Sequence, residues 1–331
     1  MTRSVGPPPG PGTARIAVDL LGGDNAPAVV VDGALLACRT DPDLHLLLVG
    51  PRPVADGMIH ALDPPDRARV EPVGAERGVR MTDPVTHGAD VRTSIGASAR
   101  AVAAGRADAA VSAGSSGASV AAAITAIGRL PGVRRPALAA ILPGASGPLV
   151  LLDVGAGMQC SAADLVHHAA MGAGYAQLAA GLSHPRVGLL SVGTEPGKGD
   201  RLRRAADAVL RVHPLGDATY VGPVEGTDAV TGARADVVVT DGFTGNVLLK
   251  SIEAALDAAA APFPPTAVPR AAALLGIAGT VVICHGAADA EGIASGIALA
   301  ARLVRADVVG RLAAASGLTG EAAQRLAEVT R

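Results

Sequence analysis

The chain of 331 residues contains no tryptophan, two phenylalanines, two tyrosines and three cysteines, and only two of its 28 basic residues are lysines. Each shortage narrows the field. With 49% apolar but 1% aromatic residues, a core of this size must be packed from Ala, Val, Leu and Ile. Cys38, Cys160 and Cys284 are odd in number and lack CxxC spacing, which argues against a disulfide framework or a zinc site and points to a reducing cytoplasm. A formal charge of -2 with 18% charged residues leaves no basic field able to hold a nucleic-acid backbone by counterion release. Residues 1–14, with Gly6-Pro-Pro-Pro-Gly-Pro-Gly12, lack the apolar run of a signal peptide and read as a disordered leader. Mean hydropathy is positive, at +0.38. Yet the longest stretch without charge or histidine, Ala109–Gly128, is broken by Ser112-Ala-Gly-Ser-Ser-Gly117, so it reads as buried strand, loop and helix rather than a bilayer span.

What is present is an alternation. Apolar runs at Ile16–Leu21, Leu44–Val49, Ala109–Val111, Leu149–Val154, Val187–Val192, Ala235–Thr240 and Thr280–Cys284 read as strands. All but the second are followed by Ala-rich helical stretches, which start near Pro27, run through Ile127, start at Ala162, Leu202 and Phe243, and run through Arg302. Strand, glycine turn and helix in repeated order predict an α/β fold with a largely parallel sheet. Pro51–Pro53, Pro64-Pro65 and Pro262–Pro265 read as surface connections, and residues 307–331 as a terminal helical tail after one domain over 15–306.

Six loops after strands can carry chemistry: Gly22-Gly-Asp24-Asn25-Ala-Pro27, Ser112-Ala-Gly-Ser115-Ser116-Gly117, Asp153-Val-Gly-Ala-Gly157, Gly193–Lys198, Asp241–Asn246 and His285-Gly286. In such folds ligands gather at the carboxyl ends of strands. Glycine lets backbone approach a ligand, and the following helix offers unpaired N–H groups, so these loops suit phosphate, pyrophosphate or an oxyanion. For any one of them the plainer reading is a tight turn and a helix cap. Lys198 and Lys250 are the lysines of an arginine-dominated chain, which makes each a candidate for a role needing a compact ammonium.

Familiar alternatives fail on spacing. Gly193-x3-Gly197-Lys198 is one residue short of a P-loop and lacks its Ser or Thr. Ser115 and Ser116 are not in a G-x-S-x-G elbow, and no G-x-G-x-x-G opens the first helix. Cys284 and His285 are neighbours on a strand and face opposite ways, so they form no nucleophile and base pair. His167 and His168 are about 100° apart on a helix and form no chelating pair; a partly exposed face is expected there. Cys160 reads as an inert thiol.

Taken together, the segments resemble the PlsX family, phosphate acyltransferases of bacterial phospholipid synthesis. The matching stretches are Ile16–Pro27, Val111–Ala118, Arg129–Ala139, Leu151–Ala156, Val187–Gly199, Val221–Gly226, Ala235–Lys250 and Leu274–Asp289, in family order over nearly the whole chain. The resemblance implies a Rossmann-like α/β/α sandwich of the isocitrate/isopropylmalate dehydrogenase and phosphotransacetylase class. It also implies a cytoplasmic homodimer with its cleft near the dimer interface, and no metal or cofactor. Acyl carrier protein and inorganic phosphate are the implied substrates, with a downstream acyltransferase as a further partner. Because phosphate is already a nucleophile, no covalent enzyme intermediate is needed; the protein must hold a dianion beside a thioester carbonyl and stabilise an oxyanion.

The resemblance carries Lys198, Asn246 and His285 over as catalytic groups, with Lys198 and the Ser112–Gly117 loop on phosphate or oxyanion and Asn246 and His285 at the carbonyl or leaving thiolate. Asp24, Ser112, Ser115, Ser116, Gly117, Asp153, Asp241 and Gly245 follow as substrate-binding or loop-orienting positions. The sequence departs from the family's pattern at Ser115, Gly157 and Thr194, at the reduced basic stretch Arg92-Thr93-Ser94, and at Ala287-Ala288. Between Lys250 and Leu274, where the family has an amphipathic extension for dimer contact and membrane docking, this chain is short and carries Pro262-Phe-Pro-Pro265. Membrane association is therefore expected to be weak or absent. The alternative expectation is a catalytically weakened homologue that binds acyl carrier protein or a partner acyltransferase, and a third is transfer between phosphate and a short acyl-CoA.

Overall fold

The computed structural model describes residues 12–60, 62–195, 197–259 and 271–315. From the amino end come β1 (Ala14–Asp19), α1 (Ala28–Thr40), β2 (Leu44–Gly50), α2 (Arg52–His60), α3 (Pro64–Arg67), β3 (Val70–Gly74), α4 (Ser94–Ala103), β4 (Ala109–Ser112) and α5 (Ser116–Ala126). The middle holds β5 (Ala137–Gly144), β6 (Gly147–Leu152), α6 (Ala162–Ala180), β7 (Arg186–Leu190), α7 (Arg201–Leu210), β8 (Thr219–Val224), α8 (Asp228–Thr231), β9 (Val237–Val239) and α9 (Gly242–Ala259). Then follow β10 (Ala271–Leu275), β11 (Thr280–Cys284), α10 (Ala290–Arg305) and α11 (Val308–Ala315). Of the expected leader, residues 1–11 lie outside the described residues, while Ala14 already belongs to β1. Pro262–Pro265 and residues 316–331 of the expected tail also lie outside them.

The chain packs as two units. The first comprises Met1–Gly128 with Arg270–Val309, the second Arg129–Pro269 with Gly310–Arg331. In the first, strands run β3-β2-β1-β4-β11-β10. Every neighbouring pair is parallel except β10 with β11. In the second the order is β5-β6-β9-β7-β8, with β5 and β6 antiparallel and the rest parallel. Both units are mostly parallel α/β, as the alternation predicts.

Composition decides how these sheets are covered. Ile16, Leu46, Leu48, Leu151, Leu152, Val187 and Val237 are fully buried on the strands, and Ala34, Ala99, Ala122, Ala123, Ala169 and Ala300 are fully buried on the helices that cover them. Small helix residues let backbones come close to aliphatic strands, so packing density is reached without aromatic rings. Tyr175 on α6 is the exception, with no exposed surface. β3 and β8 were not legible as strands because each carries a proline, Pro72 and Pro223. Each lies at the outer end of its unit's strand order, where a missing backbone donor is tolerated. Pro53 and Pro64 sit in the first turns of α2 and α3 rather than in plain connections, the position proline favours.

Candidate functional site

Strand order turns around at β1, which has β2 on one side and β4 on the other. Such a switch point opens a crevice at the carboxyl ends of the strands. β1, β4 and β11 are parallel neighbours, so the Gly22–Pro27, Ala113–Gly117 and His285-Gly286 loops leave the same edge of the first unit. They are tied together there. The Asp24 N–H donates to the Gly286 carbonyl at 2.9 Å. The Ser112 hydroxyl donates to Asp19 at 2.6 Å and accepts from the Gly114 N–H at 3.0 Å. Asp19, 3% exposed at the end of β1, is a residue the sequence reasoning passed over. Burial pushes its carboxyl above the usual range, against the hydrogen bonds from Ser112 and from the Leu21 and Gly22 backbone.

The remaining groups of this edge differ in availability. Ser115 caps α5, accepting from the Ala118 N–H at 3.4 Å. Ser116 opens the helix, whose first amides lack intrahelical acceptors. At Gly117 a Cβ would sit 2.6 Å from Val85, so the glycine serves close packing there. Asp24 is exposed. His285, also exposed, accepts at Nδ1 from the Ala287 N–H at 3.2 Å, which puts the neutral ring's proton on Nε2. Cys284 faces the other way and is buried against α10, its thiol pushed up to about 12 by burial.

Beside these loops lies a cleft of about 520 Å³, lined by Leu21, Gly23, Asp24, Gly114 and the segment Arg77–Met81 with Asp83. Its arginines were not anticipated. Nothing in their local sequence marks them, because the Glu76–Asp83 stretch reaches the switch point only through folding.

In the second unit β6, β9 and β7 are parallel neighbours, and their loops again share one edge. Asp153, 1% exposed, accepts from the backbone N–H groups of Leu138, Gly155, Ala156 and Gly157 at 2.7–3.0 Å. Asp241 accepts from the Thr244 N–H and hydroxyl and from Arg203 at 2.6–2.9 Å. Burial works against its ionised form, yet those donors hold its carboxyl below the usual range. Arg203 also reaches Asp200 and the Leu190 carbonyl, an organising role that its place in Arg-Leu-Arg-Arg did not signal. Asn246 donates through Nδ2 to the Val154 carbonyl at 3.1 Å. A Cβ at Gly245 would collide with the Asp153 carbonyl oxygen, which lets α9 start directly on the 153–157 turn. Lys198 is exposed on the loop that leads into α7, with no side-chain hydrogen bond or ion pair among the described residues. Lys250 is on α9, 3.6 Å from Glu253.

The six loops thus fall into two sets of three, one set per unit. Against known proteins, the family described as fatty acid synthesis protein matches residues 14–264. A phosphate acyltransferase of Thermobifida fusca is 40% identical, over 90% of this chain and 88% of its own length. One from Cereibacter sphaeroides is 39% identical, over 95% of this chain and 94% of its own. The chain belongs to the PlsX family of phosphate acyltransferases. Among solved structures, a phosphotransacetylase from Streptococcus pyogenes superposes with a TM-score of 0.61 at 17% identity, covering 90% of this chain and 94% of that one. One from Staphylococcus aureus gives 0.60 at 16%, covering 89% and 96%. These likenesses establish the fold class that the family resemblance implied.

The helix face bearing His167 and His168 is partly exposed: His167 is half-buried, whereas His168 is 2% exposed, with Nε2 3.3 Å from the Arg135 carbonyl. Burial pushes the His167 and His168 imidazoles below their usual range. His168 is covered because α6 packs on β5, β6, β7 and β9. Cys160, next to the Asp164 that completes the α6 capping box with Ser161 and pairs with Arg134, has its thiol pushed up to about 12 by burial and by that carboxylate. A thiol raised in this way is protonated at neutral pH, and the thiolate is the nucleophilic form. No described helix is long and apolar enough to cross a membrane.

Proposed function

We propose that the protein transfers a fatty acyl group from the thioester of acyl carrier protein to inorganic phosphate, giving an acyl phosphate for phospholipid synthesis or a specialised pathway. The observation that carries this reading is the knot of three loops at the β1/β4 switch point. There the capped start of α5 and His285 lie on loops neighbouring Asp24 and Gly114, which line a cleft, inside a fold shared with phosphotransacetylases. A phosphate oxygen attacks the thioester carbonyl carbon, a C–O bond forms, and charge collects on the carbonyl oxygen. Collapse breaks the C–S bond, and the departing thiolate takes up a proton. No metal or cofactor is needed for this sequence.

The roles follow from donor chemistry. In the first unit the amides of Ser115, Ser116 and Gly117 are donors for the phosphate dianion or the oxyanion, and the His285 Nε2–H is a donor for the carbonyl oxygen or the leaving sulfur. In the second unit Lys198 is an ammonium suited to an anion and Asn246 an amide donor. Ser112, Asp153, Asp241 and Gly245 shape the loops, and Asp24 orients the thioester. The protein works in the cytoplasm as a homodimer, receives its acyl group from the carrier protein, and passes the product to a downstream acyltransferase. Purified protein incubated with acyl carrier protein thioesters of several chain lengths should release thiol only when phosphate is present. Release without phosphate, or none at any chain length, overturns the reading, and the latter result favours a carrier-binding homologue.

A further inference from the structure

The cleft beside Asp24 has more built into it than a thioester carbonyl requires. Its volume of about 520 Å³ is that of a small-molecule site, about 300–1,000 Å³. Its lining includes the apolar residues Leu21, Val79 and Met81, the last 72% exposed. The same cleft holds two guanidinium groups, each fixed by one carboxylate. Arg77 donates through Nη2 to Asp90 at 3.0 Å. Arg80 donates through Nε and Nη2 to Asp83 at 3.0–3.5 Å. Neither Nη1, nor the Nε of Arg77, has a hydrogen-bond partner among the described residues. Two paired, partly unused guanidinium forks in a cleft that also holds apolar side chains suit an elongated, mostly uncharged ligand that ends in a phosphate ester. Asp24 lies toward the His285-Gly286 end, tied to Gly286 through its backbone.

Resting on the acyl-transfer reading, we propose that this cleft takes the phosphopantetheine arm that carries the acyl thioester. Arg77 and Arg80 bind the arm's phosphodiester, and Leu21, Val79 and Met81 line its aliphatic and amide portion. Oriented this way, the arm delivers its sulfur end to the loops around His285. The same donors could instead meet the free acceptor phosphate, so the test separates the two sources. Turnover of an S-acyl-4′-phosphopantetheine is compared with that of the S-acyl-pantetheine lacking the phosphate, in the intact protein and in Arg77→Ala/Arg80→Ala, at fixed inorganic phosphate. The intact protein should prefer the phosphorylated thioester by about tenfold or more in kcat/KM, as charge-assisted hydrogen bonds warrant. The double variant should bring that ratio close to one. Because both thioesters meet the same preparation, the ratio is independent of how much of the variant folds. The single variant Arg80→Ala, at a side chain 84% exposed, should give part of the loss.

A ratio unchanged in the double variant overturns the proposal, as does an intact protein with no preference. So does a variant in which only the KM for inorganic phosphate rises. Absence of phosphate-dependent release from any thioester sinks the acyl-transfer reading itself, and the arm site with it.

Discussion

Asp24 in one unit and Asp153 and Asp241 in the other occupy equivalent places in sequence, each in a glycine-bearing loop after a parallel strand, yet their surroundings are opposite. Asp153 and Asp241 are consumed by their own loops, one by four backbone amides and the other by Thr244 and Arg203. In the first unit the corresponding shaping is done by the buried Asp19 through Ser112 and Gly114, and Asp24 is left exposed at the cleft. A carboxylate after a strand is therefore either a loop brace or an exposed acid, and what folds against it decides which. By this measure the second unit has internally satisfied turns, and the first keeps an exposed acid.

The sharpest way to break this contrast is to remove the brace. Asp153→Ala orphans four backbone donors and should cost at least about 3 kcal/mol of stability, whereas Asp24→Ala should stay within about 0.5 kcal/mol. Urea denaturation of both variants checks this, and comparable losses would void the distinction. Next in size, Lys198→Ala should lower phosphate-dependent turnover about a hundredfold, the scale of losing one oxyanion-type donor, without shifting the denaturation midpoint. Turnover within a factor of two of the parent would remove Lys198 from the site.

Two sets of carboxylates, Asp19 in the first unit and Asp164 and Asp241 in the second, should also respond to pH with opposite sign. Asp241 and Asp164 are held below the usual carboxylate range by Thr244 and Arg203 and by Arg134 and Ser161, against burial. Their contribution is complete above the unfolded value of about 3.9 and disappears as pH falls through their lower folded values. Asp19 is raised by burial, so its ionisation opposes folding. Stability around β1 and β4 should fall as pH rises from about 4 through that raised value. Amide exchange corrected for intrinsic rate should show protection at the starts of α6 and α9 increasing with pH up to about 4 and protection in β1 and β4 declining above it, and Asp19→Asn should abolish the decline. The smallest effect concerns Cys160. With its thiol pushed up to about 12, it should resist iodoacetamide at neutral pH, and Cys160→Ser should change turnover less than twofold. Rapid alkylation with loss of activity would contradict this.

Much of the fold could be read from the sequence because buried parallel strands are short aliphatic runs and their turns are rich in glycine. Ala109–Ser112, Thr280–Cys284 and the start of α6 at Ala162 fell where the pattern put them. β3 and β8 escaped because proline and glycine interrupt them, and β10 because an all-Ala and Leu run fits a helix as well as a strand. At the site, the glycine loops were visible but Asp19, Arg77, Arg80 and Arg203 were not. The partners of Asp19 and Arg203, Ser112 and Asp241, lie far along the chain, and Arg77 and Arg80 reach the cleft only through folding.

The sequence alone determined the class of fold, the six loops and the chemistry they could host, since these depend on local periodicity and on residue types that only turns and helix starts tolerate. Tertiary structure decided which loops meet. Neighbouring parallel strands are joined by crossovers, so β1 lies beside β4, and β4 beside β11, only after long connections close. It also decided which acids are spent and which are open, because burial and hydrogen-bond count are properties of what folds against a residue and not of the residue itself.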